Sequence, residues 1–326
     1  MKISEIGEWG IIKEIFDIIS REENVKLPYG DDAVAIKLPN TGILVINTDM
    51  LVYETDVPPN MSSEQIGRKA VVMCISDLAA KGARPLGFLA TLGLKRNMEV
   101  EELRGLIWGM EKASREYGFH ILGGDTNEAC DLIIAGTALG VARRVISRHN
   151  AEVGDIVAVT GLFGNTAAGF KILFEGLETS KKIKDKILKS IYEPKAHMIE
   201  GVTLAEKELA TAAIDSSDGL AISLHEIAEK SNVGLEIYRL PITEEAKKFS
   251  VMNNLDPFEL VFYGGEEYNL VVTIKREKIK EALRTMKEKG GKLIPIGRVT
   301  REKGKVTYRK GGEERIIEKK GWEHFR

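Results

Sequence analysis

The chain of 326 residues has only two cysteines, Cys74 and Cys130, too far apart in sequence to suggest a disulfide framework or a Cys-x-x-Cys metal site. Both read as packing residues in a reducing compartment. The longest apolar stretch, near Leu132 to Ala142, is too short to span a bilayer, and the N-terminus lacks the basic-then-apolar layout of a signal peptide. With a net charge of -2, the expectation is a cytoplasmic protein with no global attraction to nucleic acid or an anionic membrane. A single glutamine, Gln65, among many Lys and Glu leans toward a thermophilic source.

Several reaction classes are missing too. The five histidines (His120, His149, His197, His225 and His324) form no H-E-x-x-H or Cys/His cluster, so a zinc hydrolase is not expected. There is no G-x-S-x-G elbow and no cysteine with an activating neighbour, which leaves covalent catalysis without a candidate. The glycine-rich stretch Thr160 to Gly169 lacks the Gly-Lys-Ser/Thr ending of a Walker A loop and reads as a structural strand-to-helix turn. No repeat or low-complexity tract stands out.

What the chain does have is six short acidic words, most of them beside glycine. They are Gly30-Asp31-Asp32, Asn47-Thr48-Asp49, Ser76-Asp77, Gly123-Gly124-Asp125-Thr126, Asp215-Ser216-Ser217-Asp218-Gly219 and Gly264-Gly265-Glu266-Glu267. Glycine allows close backbone approach, and carboxylates suit hard cations such as Mg²⁺. One Gly-Asp is ordinary turn chemistry, and Asp215 to Asp218 taken alone reads equally well as a helix cap. Six such words imply ionised groups that would repel in one cleft unless cations sat between them.

The length suggests two domains, an α+β unit over 1–150 and an α/β unit over 151–326. In the first, apolar spacing predicts a helix from Ile3 to Ile19, then strands at Ala33–Ile36 and Ile43–Asn47 with Asp32 and Asp49 at their ends. A helix follows from Ser62, where Gln65 completes capping-box spacing, to Lys81. Asp77 near its C-terminal end opposes the helix dipole, which marks it as functional. A strand near Phe88–Leu94, a helix near Val100–Tyr117, a short strand ending at Gly123-Gly124-Asp125 and a strand near Leu132–Val141 complete this half.

The second half alternates. Strands are expected at Ile156–Thr160, Ala213–Asp215, Leu235–Tyr238, Asn269–Ile274 and Leu293–Val299, with a closing hairpin at Gly311-Gly312. Helices are expected near Thr166–Glu175, Ile183–Ile191, Lys195–Leu209, Leu220–Ser231 and Glu277–Lys289.

In this order and spacing, the words GDDAVAI, NTDMLV, IGRKAVVMCISDLAAKGARP, ILGGDT, AIDSSDGL and GGEEYNL resemble the thiamine-monophosphate kinases. That family sits in the superfamily of aminoimidazole ribonucleotide synthetase, selenophosphate synthetase and a hydrogenase-maturation ATPase. The resemblance implies an aminoimidazole ribonucleotide synthetase-like two-domain fold, homodimeric through its N-terminal domain. It implies transfer of the ATP γ-phosphoryl group to thiamine monophosphate, giving thiamine diphosphate, with several Mg²⁺ ions. The implied metal ligands are Asp32, Asn47, Thr48, Asp49, Asp77, Asp125, Asp215 and Asp218. The implied ATP contacts are Gly124, Asp125, Arg148 and Ser217, and the substrate side is Asp56, Glu266 and Trp322.

Many relatives have His at Asp56, Ser at Asn47, GEDYEL in place of GEEYNL and an aromatic near Ile107. The segment Glu54 to Pro59 resembles the archaeal branch. A selenophosphate synthetase would carry a reactive residue before Cys74, and the hydrogenase-maturation relative would end in a cysteine-bearing tail; neither is present. An aminoimidazole ribonucleotide synthetase-like activity and an inert metal-binding scaffold are the alternatives. A phosphate acceptor is already ionised near neutral pH, so no general base is assigned.

Overall fold

The computed structural model describes residues 2–19, 25–27, 30–39 and 42–322. Residues 323–326 lie outside it. The N-terminal half runs α1 (Ile3–Ile18), β1 (Val34–Leu38), β2 (Gly42–Val52), α2 (Tyr53–Asp56), α3 (Ser63–Ala80), β3 (Arg84–Leu94), α4 (Val100–Glu116), β4 (His120–Glu128) and β5 (Ile133–Ala142). Its strands form one sheet in the order β1-β2-β5-β3-β4, antiparallel except for the β3/β4 pair.

The C-terminal half begins with β6 (Ile156–Val159), α5 (Asn165–Phe174), α6 (Lys181–Tyr192), α7 (Met198–Glu206), β7 (Ala210–Ile214) and α8 (Leu220–Ser231). It continues with β8 (Gly234–Ile237), α9 (Glu244–Met252), α10 (Pro257–Phe262), β9 (Val271–Ile274), α11 (Ile279–Lys289), β10 (Ile294–Thr300), β11 (Val306–Lys310) and β12 (Glu313–Ile316). Alternation does not make this sheet parallel. In the order β12-β11-β8-β10-β6-β9-β7, β8 and β11 are the one parallel pair of neighbours among the described residues. Among the described residues no helix is long and apolar enough to cross a membrane.

Helix α3 organises the molecule. Its capping box forms as the spacing predicts, with Gln65 N donating to Ser62 Oγ (3.3 Å) and Ser62 N donating to Gln65 Oε1 (3.0 Å). Val71, Cys74, Ile75 and Leu78 pack on Val45, Phe88 and Ala138 of the sheet, all fully buried. On its C-terminal turn the helix meets α7 of the other half so closely that a Cβ on Gly201 would lie 1.9 Å from the Ala79 carbonyl oxygen. Gly201→Ala is therefore expected to destabilise the protein by about 2 kcal/mol or more, read as a lower denaturation midpoint.

Some expectations need correction. Helix α1 is broken at Gly7, whose φ of 65° is left-handed. Cys130 is exposed on a turn and packs nothing, whereas Cys74 is buried. Asp49 and Asp125 are not strand ends: β2 and β4 run on through them because both segments are paired along their length. The short α2, α9 and α10 were not anticipated. In the turn from β6 into α5, expected to be structural, the Glu267 carboxylate accepts from Gly164 N (2.7 Å) and Thr166 N (3.2 Å).

Candidate active site

Strand periodicity decides which acids meet. Along β2, Asn47, Asp49 and Leu51 face α3, while Thr48 and Met50 face the opposite, open side of the sheet. Asn47 Nδ2 donates to both Asp49 Oδ2 and Asp77 Oδ2, each at 2.9 Å. Asp77 projects from the last turn of α3, and Asp215 follows the end of β7. Carboxylate oxygens of Asp32, Asp77 and Asp215 all lie within 4.8 Å of one another. Hydroxyls fix Asp215: Ser76 Oγ donates to Oδ2 at 2.7 Å and Ser217 Oγ to Oδ1 at 3.2 Å.

Confining these groups raises their proton affinity. Burial, and then the charge of Asp32, pushes Asp215 up to about 7. Asp77 is raised well above the usual carboxylate range by burial and by Asp49, Asp215 and Asp32. Burial raises Asp49 as well, against hydrogen bonds from Cys74, Asp77 and Asn47. Asn47 Oδ1 is buried with no hydrogen-bond partner. A hard divalent cation fits this donor set, since it supplies the positive charge the carboxylates compete for and takes the orphaned amide oxygen.

Beside the acids lies a buried ion cluster. Lys81, just past α3, bonds Asp31 (2.5 Å) and Asp32 (2.8 Å) and is wholly buried. Burial would raise Asp31, but Lys81 and Arg148 outweigh it and hold the carboxyl below its ordinary value. Arg148, expected at ATP, has its guanidinium committed to Asp32 and, at 3.2 Å, to Glu226, because three acids surround it. Asp31, outside the implied ligand set, is held here by Lys81 and by Arg148 N, which donates to its Oδ2 at 3.2 Å.

Far along α3 is a third group. Lys69 Nζ donates to Glu266 Oε1 (2.7 Å) and to the Asp56 carbonyl (2.5 Å), drawing together two of the three residues expected on the substrate side. The third, Trp322, is 55% exposed, and its N–H donates to the Asp218 carbonyl at 3.1 Å, so the Asp215–Gly219 turn carries it. Asp218 thus borders both regions, and Ser217 joins them by accepting from Glu266 N at 2.6 Å.

Three expected positions are not gathered with the acids. Thr48 Oγ1 donates to the Gly136 carbonyl on the open face, so its side chain does not reach the Asp49–Asp77 group. Asp125 pairs with Thr91 on β3, three strands from β2, and is exposed on the same open face. Gly124 lies beside it, where a Cβ would meet the Ala90 carbonyl oxygen at 1.8 Å. Sequence reading missed Lys69, Lys81 and Glu226. The signal for the lysines was their place with Met73 and Asp77 at positions 69, 73, 77 and 81, one stripe of a helix.

The two-domain fold with a carboxylate cluster at its junction is that of the AIR synthase related class. Family models described as "AIR synthase related protein", N-terminal and C-terminal domains, match residues 30–142 and 152–309. A thiamine-monophosphate kinase of Pyrococcus abyssi is 40% identical over 91% of this chain and 90% of its own, and one from Pyrococcus horikoshii is 38% identical over 91% of each. A solved structure described as "AaThiL complexed with AMPPCP and TMP" superposes with a TM-score of 0.87 at 27% identity, covering 99% of both chains. The chain belongs to the thiamine-monophosphate kinase family.

Proposed function

We propose that this protein transfers the γ-phosphoryl group of ATP directly to thiamine monophosphate, forming thiamine diphosphate, as a cytoplasmic, Mg²⁺-dependent homodimer. The observation that carries the reading is the convergence of Asp32, Asp77 and Asp215 at one end of α3, with Glu266 and Asp56 drawn together at its other end. Joining two polyanions is a problem of charge, and bound Mg²⁺ would supply the neutralisation. Asp32, Asp77 and Asp215, with Asn47 and Asp49 beside them, would hold it.

The chain's own part is orientation. Asn47 fixes two carboxylates at once, and Ser76 and Ser217 fix a third. A phosphate monoester has its second pKa near 6, so the acceptor oxygen is ionised at neutral pH and needs no base. On the other side, Glu266 offers a carboxylate to the thiazolium cation and Trp322 an exposed aromatic face.

The homodimer has independent support in the uncovered sheet face. Met50 (59% exposed), Leu89 (38%) and Leu122 (60%) stand there with Thr48 and Asp125. A second copy laid on this face would bury an apolar patch and place Gly124 and Asp125 inside the pair. Asp125→Asn is then expected to lose about 10²-fold or more in turnover while remaining dimeric by sedimentation. The direct test mixes protein, ATP, Mg²⁺ and thiamine monophosphate and assays thiamine diphosphate. ADP release without that product would redirect the reading to another superfamily activity.

A further inference from the structure

We propose that Lys69 is a positioning residue for the phosphoryl acceptor, holding the Glu266 carboxylate in place across the junction between the two halves of the molecule. The inference rests on the kinase reading and adds to it a residue outside the acidic motifs.

Lys69 is 1% exposed, an unusual state for an ammonium on a helix that borders a cleft. Among the described residues its hydrogen-bond partners are the Glu266 carboxylate and the Asp56 carbonyl. A buried ion pair is weak as a source of stability, because desolvation offsets most of the attraction, so stability alone does not account for this one. What the pair does achieve is placement. The Glu266 side chain keeps 28% of its surface open and lines a cavity of about 330 Å³ that also includes Asn165, Ser190 and Asn269.

The loop carrying Glu266 is itself strained. Glu266 (φ 61°) and Tyr268 (φ 45°) are both left-handed without being glycine. Such outliers persist where the surroundings over-determine them, and they cluster at ligand sites. Here the backbone is pinned by Glu266 N donating to Ser217 O, and the side chain is pinned by Lys69.

Asp56 is held differently. Its carboxylate turns back on its own corner, accepting from Val52 N (2.7 Å) and from Thr55 Oγ1 (3.1 Å). Its carbonyl is what Lys69 grips. One ammonium thus ties the end of β2, through α2, to the Gly264–Tyr268 loop of the other half, and both proposed acceptor contacts depend on it.

The test is a double-mutant cycle on the full-length protein with Lys69→Met, Glu266→Gln, the pair together, and Lys69→Arg. Lys69→Met is expected to raise KM for thiamine monophosphate about 30-fold or more, with little change in KM for ATP. The melting-temperature rise given by thiamine monophosphate alone should shrink in parallel. Lys69→Arg should recover most of the affinity, and the double variant should be no worse than the worse single one, because both act through one carboxylate.

Additive effects would overturn the proposal, as would equal increases in both KM values or a loss of thermal stability with normal kinetics. Should Lys69→Met fail to fold, the double variant, which leaves no unpaired charge, and Lys69→Arg carry the comparison against Glu266→Gln. Absence of wild-type turnover removes the kinase reading and this proposal with it. Wild-type turnover with an additive cycle removes only the role of Lys69.

Discussion

Asp77→Asn is expected to make the metal-free protein more heat-stable while slowing turnover by about 10²-fold or more. The two effects have one cause. Asp77 stands among Asp32, Asp49 and Asp215, whose charges, with burial, hold its proton affinity far above the usual carboxylate range. The folded chain must either bear that repulsion, roughly 4 kcal/mol for two unit charges ~4 Å apart at an effective dielectric of about 20, or take up a proton that the unfolded chain releases, and an amide at this position does neither. Asparagine keeps the shape and an oxygen to accept from Asn47 Nδ2, which confines the change to charge.

A gain of about 1 kcal/mol corresponds to roughly 2–4 °C in melting temperature for a unit the size of each half. The same substitution removes a carboxylate from the metal-holding set, so added Mg²⁺ should stabilise the variant less than it stabilises the wild type. Thermal melts with and without Mg²⁺, alongside steady-state rates, check both. Normal turnover would strike Asp77 from that set.

The second large effect is on pH. Asp215 is pushed up to about 7 in the folded chain from an ordinary value of 3.8. Between those values the folded state retains a proton that the unfolded chain has released. Stability from this group is complete below about pH 4 and is lost as pH rises through 7, by on the order of 4 kcal/mol at most. Asp77 and Asp49, also raised, add in the same direction.

Asp31 and Glu226 act oppositely. Burial would raise both, but their basic partners hold them low, so their contribution is present above the ordinary carboxylate range and is lost only on acidification. Above about pH 5 the slope therefore belongs to the raised acids. On the proposed reading Mg²⁺ would substitute for the lost protons, so the Mg²⁺-induced rise in melting temperature should grow between pH 5.5 and 8. Glu267, raised by burial to about 7 but bonded to the start of α5, has the same sign in both conditions and cancels in that difference. A metal effect independent of pH would refute the account.

Acidic words, most of them beside glycine, were enough to find the carboxylate cluster, because each acid borders an element that delivers it to one place: Asp32 precedes β1, Asp77 lies in the last turn of α3 and Asp215 follows β7. The word Asn47-Thr48-Asp49, read as a single unit, spans two faces of a strand. Once β2 is seen to run unbroken to Val52, alternation sends Thr48 to the other face. Asp125 was equally legible as a motif and equally silent about its face. Lys69 and Lys81 escaped notice because a lysine on a helix is ordinarily solvated, and burial depends on packing that no local pattern reports. The helices α9 and α10 are short, and they are held by packing on α5, α6 and α8, elements distant in sequence.

The stripe on α3 also works as a ruler. Lys69 and Asp77 are eight residues apart, so the rise of the helix separates the Lys69–Glu266 pair from the carboxylate cluster by about 12 Å along its axis. Inserting one residue between them would lengthen that interval only slightly but swing one end round by about 100°, out of the cleft. Loops elsewhere can drift in length over generations; this interval can change only in steps of whole turns. A protein of this architecture can thus acquire a new acceptor by altering the residues at the Lys69 end, while the graduation that fixes the distance to the carboxylates stays the same.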